Sequence, residues 1–377
     1  MASFRASAEV IGLGLGLFIA EAIYSGNERF YRETLMPLLQ FLIPDGENAH
    51  KLAVNAFKFN IVPRNSFNNN SVSQCDVFGL TFKHRVGIAA GFDKNGEAVM
   101  GLLKCGFSHV EVGTVTPKPQ KGNPRPRVFR WKEQQAVINR YGFNSDGHDV
   151  VYERLKDRSW EGKGIVGVNL GCNKDSTDPV ADFVAGVKKF GDVADYLVIN
   201  VSSPNTPGLR SLQRKEQLEG LLIRVLSARS SLKKHTPILL KISPDESDQA
   251  LADIVQLALA PSTKVDGLIV SNTTLATYEQ ASACGAVSEN MDKHTAVWGG
   301  LSGPPLKDRS TTCLAKVAAL TEGRIPLIGV GGISTEEDAV EKLKAGATLV
   351  QLYTSLIYQG PPVVKRITRG IDDHLSE

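Results

Sequence analysis

The residues best suited to chemistry stand where short apolar runs end. Tyr196–Leu209 reads YLVINVSSPNTPGL, a β-branched run that breaks into Ser202, Ser203, Pro204, Asn205, Thr206, Pro207 and Gly208. A buried strand here delivers hydroxyls and amides to its carboxyl end, held by two stiffening prolines. Taken alone, that loop reads equally well as an ordinary hydrogen-bonded turn. Lys241 ends another apolar run, ILLKIS, and Lys94 follows a third in AAGFDKNGEAV. A lysine in an apolar strand is costly to bury unpaired. It is either a rim lysine with a carboxylate partner, a Schiff-base lysine, or a cation beside an anionic cofactor. Asn139, Asn169, Asn200 and Asn272 fall at or near strand ends, and a ring of amides suits a planar ligand with alternating donors and acceptors. Glycine turns at Gly300–Gly303 and Gly329–Gly332, with Gln351-Leu352-Tyr353-Thr354 after the last run, offer bare N–H groups to an anion such as phosphate. No histidine or carboxylate occupies an obvious general-base position. Ser203 is the best-placed proton acceptor, and an unassisted serine needs a concerted partner step or a water relay.

These groups need a scaffold that gathers strand ends. From Lys83 onward, apolar runs recur at Val86–Ala90, His109–Gly113, Ile165–Asn169, Leu197–Val201, Ile238–Ile242, Gly267–Ser271, Pro326–Val330 and Thr348–Leu352. Amphipathic stretches separate them, including Glu97–Cys105, Val180–Phe190, Gln217–Leu232 and Glu336–Lys344. Eight strand–helix repeats over about 300 residues predict an α/β fold, a (β/α)8 TIM barrel with its site at the carboxyl face. A doubly wound open sheet is the alternative, and no GxGxxG follows the first strand. Two long insertions, Thr116–Asn144 and Thr273–Pro305, fall on the side where a site would be shaped.

Composition narrows the partners. The 377 residues carry 43 Lys+Arg against 40 Asp+Glu, a net charge of +3, with no basic block interleaved with aromatics. Nucleic acid is therefore not the expected partner. The five cysteines are scattered, and neither CxxC nor HExxH occurs, so no disulfide framework and no metal is expected. Ahead of the barrel, Ala6–Tyr24 is apolar and Gly-rich, about long enough to cross a bilayer. A single membrane anchor at 1–25 is favoured over a secretory signal peptide, and Arg5 alone makes a poor mitochondrial presequence. Residues 26–66 predict a helical hairpin with its turn at Pro44-Asp45-Gly46. It either packs on the barrel or serves as an amphipathic lid facing lipid. Asn65–Ser73 is a polar linker, and the barrel occupies 67–377.

The motifs AAGFDKNGEAV, EVGTVTPKPQKGNPRPRVFR, INRYGFNS, GVNLG, NVSSPNTPGLRSLQ, NTT, GGLSGPPL, IGVGGI and QLYTSL closely resemble, in order, the membrane-bound, quinone-using class 2 of the dihydroorotate dehydrogenases. The resemblance runs from Phe30 to the carboxyl end. It implies oxidation of dihydroorotate to orotate in pyrimidine biosynthesis, with FMN as redox centre, ubiquinone as acceptor and a mitochondrial inner-membrane location. It implies Ser203 as the base for C5 of the substrate. Lys94, Asn139, Arg140, Tyr141, Gly142, Phe143, Asn200, Asn205, Asn272 and Thr273 resemble the substrate set. Ala89, Ala90, Gly91, Gly113, Thr114, Asn169, Lys241, Ser271, Ser302, Gly303, Gly331, Gly332, Leu352, Tyr353 and Thr354 resemble flavin contacts, a role in which Lys94, Asn139 and Asn200 share. The hairpin would form a quinone tunnel mouth, with Gln40, His50, Arg130 and Tyr353 as its polar positions. Met36, Leu39, Phe92, Cys105, Val128 and Leu356 match its apolar lining, and Phe41 and Cys105 depart from the usual residue types.

Rival readings are another FMN barrel, such as a 2-hydroxy acid oxidase or a dihydrouridine synthase, and a Lys241 Schiff-base aldolase. The first two would call for a histidine or cysteine where Ser203 stands, and bound flavin would exclude the aldolase.

Overall fold

A computed structural model describes residues 14, 16–63, 72–206, 208–287 and 298–377. Eight parallel strands close into a barrel: β3 (Val86–Ile88), β4 (His109–Val115), β7 (Ile165–Leu170), β8 (Tyr196–Asn200), β9 (Ile238–Ile242), β10 (Gly267–Val270), β13 (Leu327–Val330) and β14 (Leu349–Leu352). All eight expected runs are strands of this barrel. Their continuous apolar character follows from burial on both faces, by the barrel interior within and helices without. Helices Pro179–Phe190 and Lys215–Arg229 show the outer logic. The first buries Phe183, Val187 and Phe190 beneath an Asp178 cap, the second Leu218, Leu221, Leu222 and Val225.

Side chains alternate along each strand, so the interior fills in layers. The lower layers are mainly apolar, with Val198, Leu239, Ile269, Ile328 and Leu349 around the Tyr196 ring and the buried His109 imidazole set edge-on to Phe82 at 5.3 Å. A short antiparallel hairpin, β1 (Cys75–Val77) and β2 (Leu80–Phe82), plugs that end with Val77 and Phe82. The upper layer changes character. Glu111, Asn169, Asn200, Lys241 and Gln351 are all buried there. Register sets Lys241 beside Asn200 on one side and Ile269 on the other.

The two long insertions, expected as loops, contain strands and join each other. β5 (Val128–Trp131) and β6 (Ala136–Asn139) come from the first, β11 (Thr274–Leu275) and β12 (Gly300–Ser302) from the second. They form one antiparallel sheet in the order β11-β12-β6-β5, with Gly300 opposite Asn139 and Leu301 opposite Ile138. The strands are short and the pairing is non-local, so no periodicity in either insertion announces it.

The amino-terminal hairpin forms as expected. Helical turns over Glu28–Phe30 and Tyr31–Leu35 lead into α1 (Met36–Leu42), the second of them widened to π geometry. After the break at Pro44, the Asp45 carboxylate caps α2 (Gly46–Lys58) by accepting from the Asn48 N–H at 2.7 Å. The α2 end lies so close to helix Val99–Cys105 that a Cβ on Gly101 would sit 1.9 Å from the Phe57 carbonyl oxygen. Leu38, Phe41, Leu42, Leu52 and Phe59 remain exposed on the hairpin. Among the described residues, no helix is long and apolar enough to cross a membrane. Most of the expected anchor and most of the Asn65–Ser73 linker lie outside the described residues; residues 16–24 are helical.

Candidate functional site

A cavity of about 610 Å³ opens between the carboxyl ends of the barrel strands and the hairpin. Its floor is polar and its mouth apolar. The floor gathers Ser203, Asn200, Lys241, Ser271, Asn272 and Thr273 from strand ends, with Asn139, Tyr141, Gly142 and Phe143 from the first insertion and Asn205 from the serine loop. Lys94, Thr114 and the Ala89-Ala90-Gly91 backbone also line it, beside Leu352, Tyr353 and Thr354 of the adjacent strand end, together with Ser302, Gly303, Gly331 and Gly332.

Two flavin-type candidates lie just behind this wall. Asn169 is fully buried and accepts from the Thr114 hydroxyl at 2.6 Å. Gly113 is held by backbone bonds to Asp93 and Gly91, at 3.0 and 2.7 Å. Two other candidates fall elsewhere. Arg140 donates to the carbonyls of Ala286 and Pro126 and stacks on Phe129 at 4.8 Å, fastening the insertions rather than facing the cavity. Cys105 is fully buried in the packed core behind the mouth and is not among the lining residues. A one-residue step on a helix suffices to turn a side chain from lining to core.

Ser203 is buried, and its Oγ accepts a long 3.3 Å bond from the Asn205 N–H. Neighbouring Thr206 carries a buried hydroxyl with no partner among the described residues. Asn205 donates to Asn139 at 3.2 Å while its own Oδ1 is buried with no partner among the described residues. The Lys94 ammonium lies 4.2 Å from the centre of the Tyr141 ring. Burial, then the Arg127 charge, pushes Lys94 down to about 8.

At the mouth, Met36, Leu39, Gln40, His50, Phe92, Val128, Arg130 and Leu356 all line the cavity. The polar ones have structural ties. Arg130 donates to the carbonyls of Ile43 and Pro44 at 2.6 and 2.7 Å, and Gln40 to that of Ile357 at 2.9 Å. His50 bridges the Tyr141 hydroxyl at 2.9 Å and the Phe92 carbonyl at 2.7 Å. Desolvation, and secondarily Lys94, pushes its imidazole down to about 4, so it is neutral at pH 7. Tyr353 reaches across to the Gly91 carbonyl at 3.1 Å.

The helix that follows the Gly329–Gly332 turn has its amino end already occupied. Helix Glu336–Lys344 is capped by Thr335, and the Asp338 carboxylate takes the N–H groups of Ser334 and Thr335. Its own first-turn carboxylates therefore occupy that dipole. What faces the cavity is glycine backbone at Gly303, Gly331 and Gly332, with φ of 96°, 115° and 75° that only glycine adopts freely.

Four charged groups escaped the sequence reading. Glu111 sits fully buried beneath the floor, 3.4 Å from Lys241. Its signal was present: a carboxylate inside the apolar run HVEVGTV is as anomalous as Lys241 in ILLKIS. Glu47 of α2 and Arg127 form the other pair, with contacts of 2.8 and 2.9 Å, and Arg125 adds a third at 2.5 Å. Burial pushes the Glu47 carboxyl up, but the two guanidiniums outweigh it and hold it below the usual range.

The donor set fits FMN. Lys241 and the amides of Asn139 and Asn200 form a polar wall of the cavity, and the glycine backbone of Gly303, Gly331 and Gly332 lines the same space, with N–H groups of the kind that suit a phosphate. A closed parallel barrel whose strand ends present such a wall is the architecture of a barrel enzyme built around a flat, anionic cofactor. The comparisons with known proteins make this particular. The family model for dihydroorotate dehydrogenase matches residues 72–375. A mouse protein named dihydroorotate dehydrogenase (quinone), mitochondrial, is 49% identical over 379 residues, covering 98% of this chain and 93% of that one. A bacterial dihydroorotate dehydrogenase (quinone) from Parvibaculum lavamentivorans is 49% identical over 90% of this chain and 93% of its own. The crystal structure of a DHODH from Eimeria tenella with ferulenol superposes with a TM-score of 0.80 at 41% identity, covering 88% of this chain and 92% of that one. The chain belongs to the dihydroorotate dehydrogenase family, which is FMN-dependent.

Proposed function

We propose that this chain oxidises (S)-dihydroorotate to orotate in pyrimidine biosynthesis and delivers the electrons to ubiquinone. The observation that carries the reading is one cavity with two unlike ends, a polar floor around Ser203 and Lys241 and an apolar mouth built by the hairpin. Bound FMN would supply the hydride acceptor and the electron carrier between substrate and quinone. The residues named next supply the rest.

Ser203 takes the proton from C5. Among the described residues its hydroxyl has no histidine or carboxylate to activate it, so the proton leaves through a relay, for which the Thr206 hydroxyl is suited. Lys94 and the amides of Asn139, Asn200, Asn205 and Asn272 hold the substrate carboxylate and ring. Lys241 places positive charge against the cofactor wall, and the glycine backbone of Gly303, Gly331 and Gly332 receives the phosphate. Residues 26–66 form the quinone tunnel mouth and 67–377 the catalytic barrel. Residues 1–25 anchor the chain in the mitochondrial inner membrane, and the exposed apolar face of α1 and α2 rests on lipid. Mitochondrial relatives in mouse and rice support that location.

The test is an anaerobic titration of the purified yellow protein with dihydroorotate, followed by a short-chain ubiquinone. Bleaching and recovery of the flavin absorbance are expected. A yellow protein that stays unbleached discards the substrate, and a colourless protein that FMN cannot reconstitute discards the redox reading.

A further inference from the structure

Beneath the cavity floor, one carboxylate organises a row of side chains. Glu111 is fully buried and accepts from Asn169 Nδ2 at 2.7 Å, Gln351 Nε2 at 2.8 Å and Lys241 Nζ at 3.4 Å. An ionised carboxylate only accepts, so the Asn169 amide must turn its NH₂ group down towards Glu111. Its Oδ1 then faces up, where it accepts from Thr114 Oγ1 at 2.6 Å and Asn200 Nδ2 at 3.0 Å. Asn200 is thereby oriented in turn. Its Oδ1 accepts from Ser202 Oγ at 3.0 Å and from Asn272 Nδ2 at 3.4 Å. Asn272 Oδ1 finally accepts from the Thr273 N–H at 2.8 Å. Every amide along this path points the same way, from Glu111 to the serine loop.

We propose that Glu111 is a positioning residue that sets the donor–acceptor polarity of the Asn169–Asn200–Asn272 row and supplies the buried counter-charge of Lys241. An amide has two nearly equivalent orientations of equal shape. A wall of three amides therefore holds several patterns of donors and acceptors, and only one matches a given planar ligand. A group able only to accept, fixed at one end of the row, selects a single pattern. The same carboxylate keeps Lys241 from standing as an unpaired buried charge, which a barrel interior tolerates poorly. No bond is made or broken by Glu111. It acts through Asn169 and Lys241 on whatever lies above them.

The inference rests on the reading of this cavity as an FMN and orotate site, and the experiment separates the two. Full-length wild type, Glu111→Gln, Glu111→Asp and Asn169→Asp are compared in two binding measurements that need no turnover. One is the Kd for FMN on reconstitution of apoprotein, the other the Kd for orotate from its perturbation of the flavin spectrum. Glutamine keeps the size of Glu111 but can donate, so it leaves the row's polarity unfixed and Lys241 without a counter-charge. Aspartate is shorter but remains acceptor-only. Loss of one hydrogen bond to a charged group weakens binding by about tenfold or more. The expected order is therefore wild type, then Glu111→Asp, then Glu111→Gln about tenfold weaker than the aspartate variant for both ligands. A residue that merely fills space gives the reverse order, and Gln binding as well as or better than Asp overturns the proposal. Should either Glu111 variant fail to fold, Asn169→Asp decides. It is isosteric and sets a second acceptor against Glu111, so binding about tenfold weaker than wild type is expected, and unchanged binding overturns the proposal. Wild type that binds no FMN would sink the functional reading itself, independently of this order.

Discussion

The floor and the mouth of the cavity are built on opposite principles. The floor is made of strand ends locked by hydrogen bonds to a buried carboxylate, with Asn169, Asn200 and Lys241 each at 4% exposure or less. The mouth is lined by apolar side chains of helices, among them Met36, Leu39 and Leu356, and the same hairpin turns Phe41 (77% exposed) and Leu42 (62%) outward. A floor of this kind suits a ligand whose donors and acceptors must be matched, because misplacing a buried polar group costs the full desolvation of its partner. A mouth of this kind suits a ligand recognised by shape and hydrophobicity, which tolerates substitution. The two regions meet at a few polar ties: the ion pair of Glu47 with Arg127, the hydrogen bond of neutral His50 with Tyr141, and Arg130 donating to the turn carbonyls.

The comparison breaks most sharply at Ser203. Ser203→Ala is expected to slow flavin reduction by dihydroorotate by roughly 10²-fold or more, the scale of a lost proton-transfer group. Reoxidation by quinone should stay near wild type, since the mouth is untouched. Stopped-flow absorbance measures both half-reactions, and equal slowing of the two would remove Ser203 from the proton transfer. The converse change is at the mouth. Leu39→Lys places a charge in the apolar lining and should raise the quinone KM by about tenfold or more, with reduction by dihydroorotate little changed. If both half-reactions respond alike, the division of the cavity into two ends is wrong.

The ties between the regions give the next effect. Glu47→Ala strands Arg127, which is buried with 6% of its surface exposed, and should destabilise the fold by about 3 kcal/mol. Urea unfolding measures this. Glu47→Ala combined with Arg127→Met should recover much of the loss, because no buried charge then stands alone. At the substrate end, Lys94 sits low, at about 8, in the free protein. An anionic substrate needs its protonated form, so the KM for dihydroorotate should rise as pH increases through about 8, with kcat less affected. A KM that stays flat from pH 7 to 9 would mean Lys94 does not meet the carboxylate.

How much of this was legible in the sequence follows from the same contrast. The barrel strands announced themselves because each is a continuous apolar run, and the floor residues because a lysine or amide breaks such a run. Asn200 and Lys241 stand out this way, and Ser203 stands out in the turn where its run ends. Glu111 offered the same signal, but HVEVGTV was read as a strand with no weight on its one charge. The mouth was legible only as two amphipathic helices. That Arg130 would be tied to the turn carbonyls, that Cys105 would lie behind the wall and Arg140 face away from the cavity depends on packing between elements distant in sequence. The sheet joining the two insertions is of the same kind, since the pairing of Gly300 with Asn139 leaves no mark within either segment.

The smallest expected effect is on acid stability, and it tests whether the mouth is as firmly built as the floor. His50 at the mouth is pushed down to about 4, as are His84 and His148 in the barrel, and His109 to about 3, each chiefly by burial. In the unfolded chain all four titrate near the ordinary value of about 6.5. Between those limits the unfolded state binds more protons, so stability falls as pH drops from about 6.5 towards 4. The slope of Tm against pH over that window counts the histidines held neutral. His50→Asn removes one contributor at the hairpin and should make the slope shallower, leaving the share of the three barrel histidines. An unchanged slope would show that the hairpin opens before His50 is charged, so that the mouth, unlike the floor, yields to acid independently of the barrel.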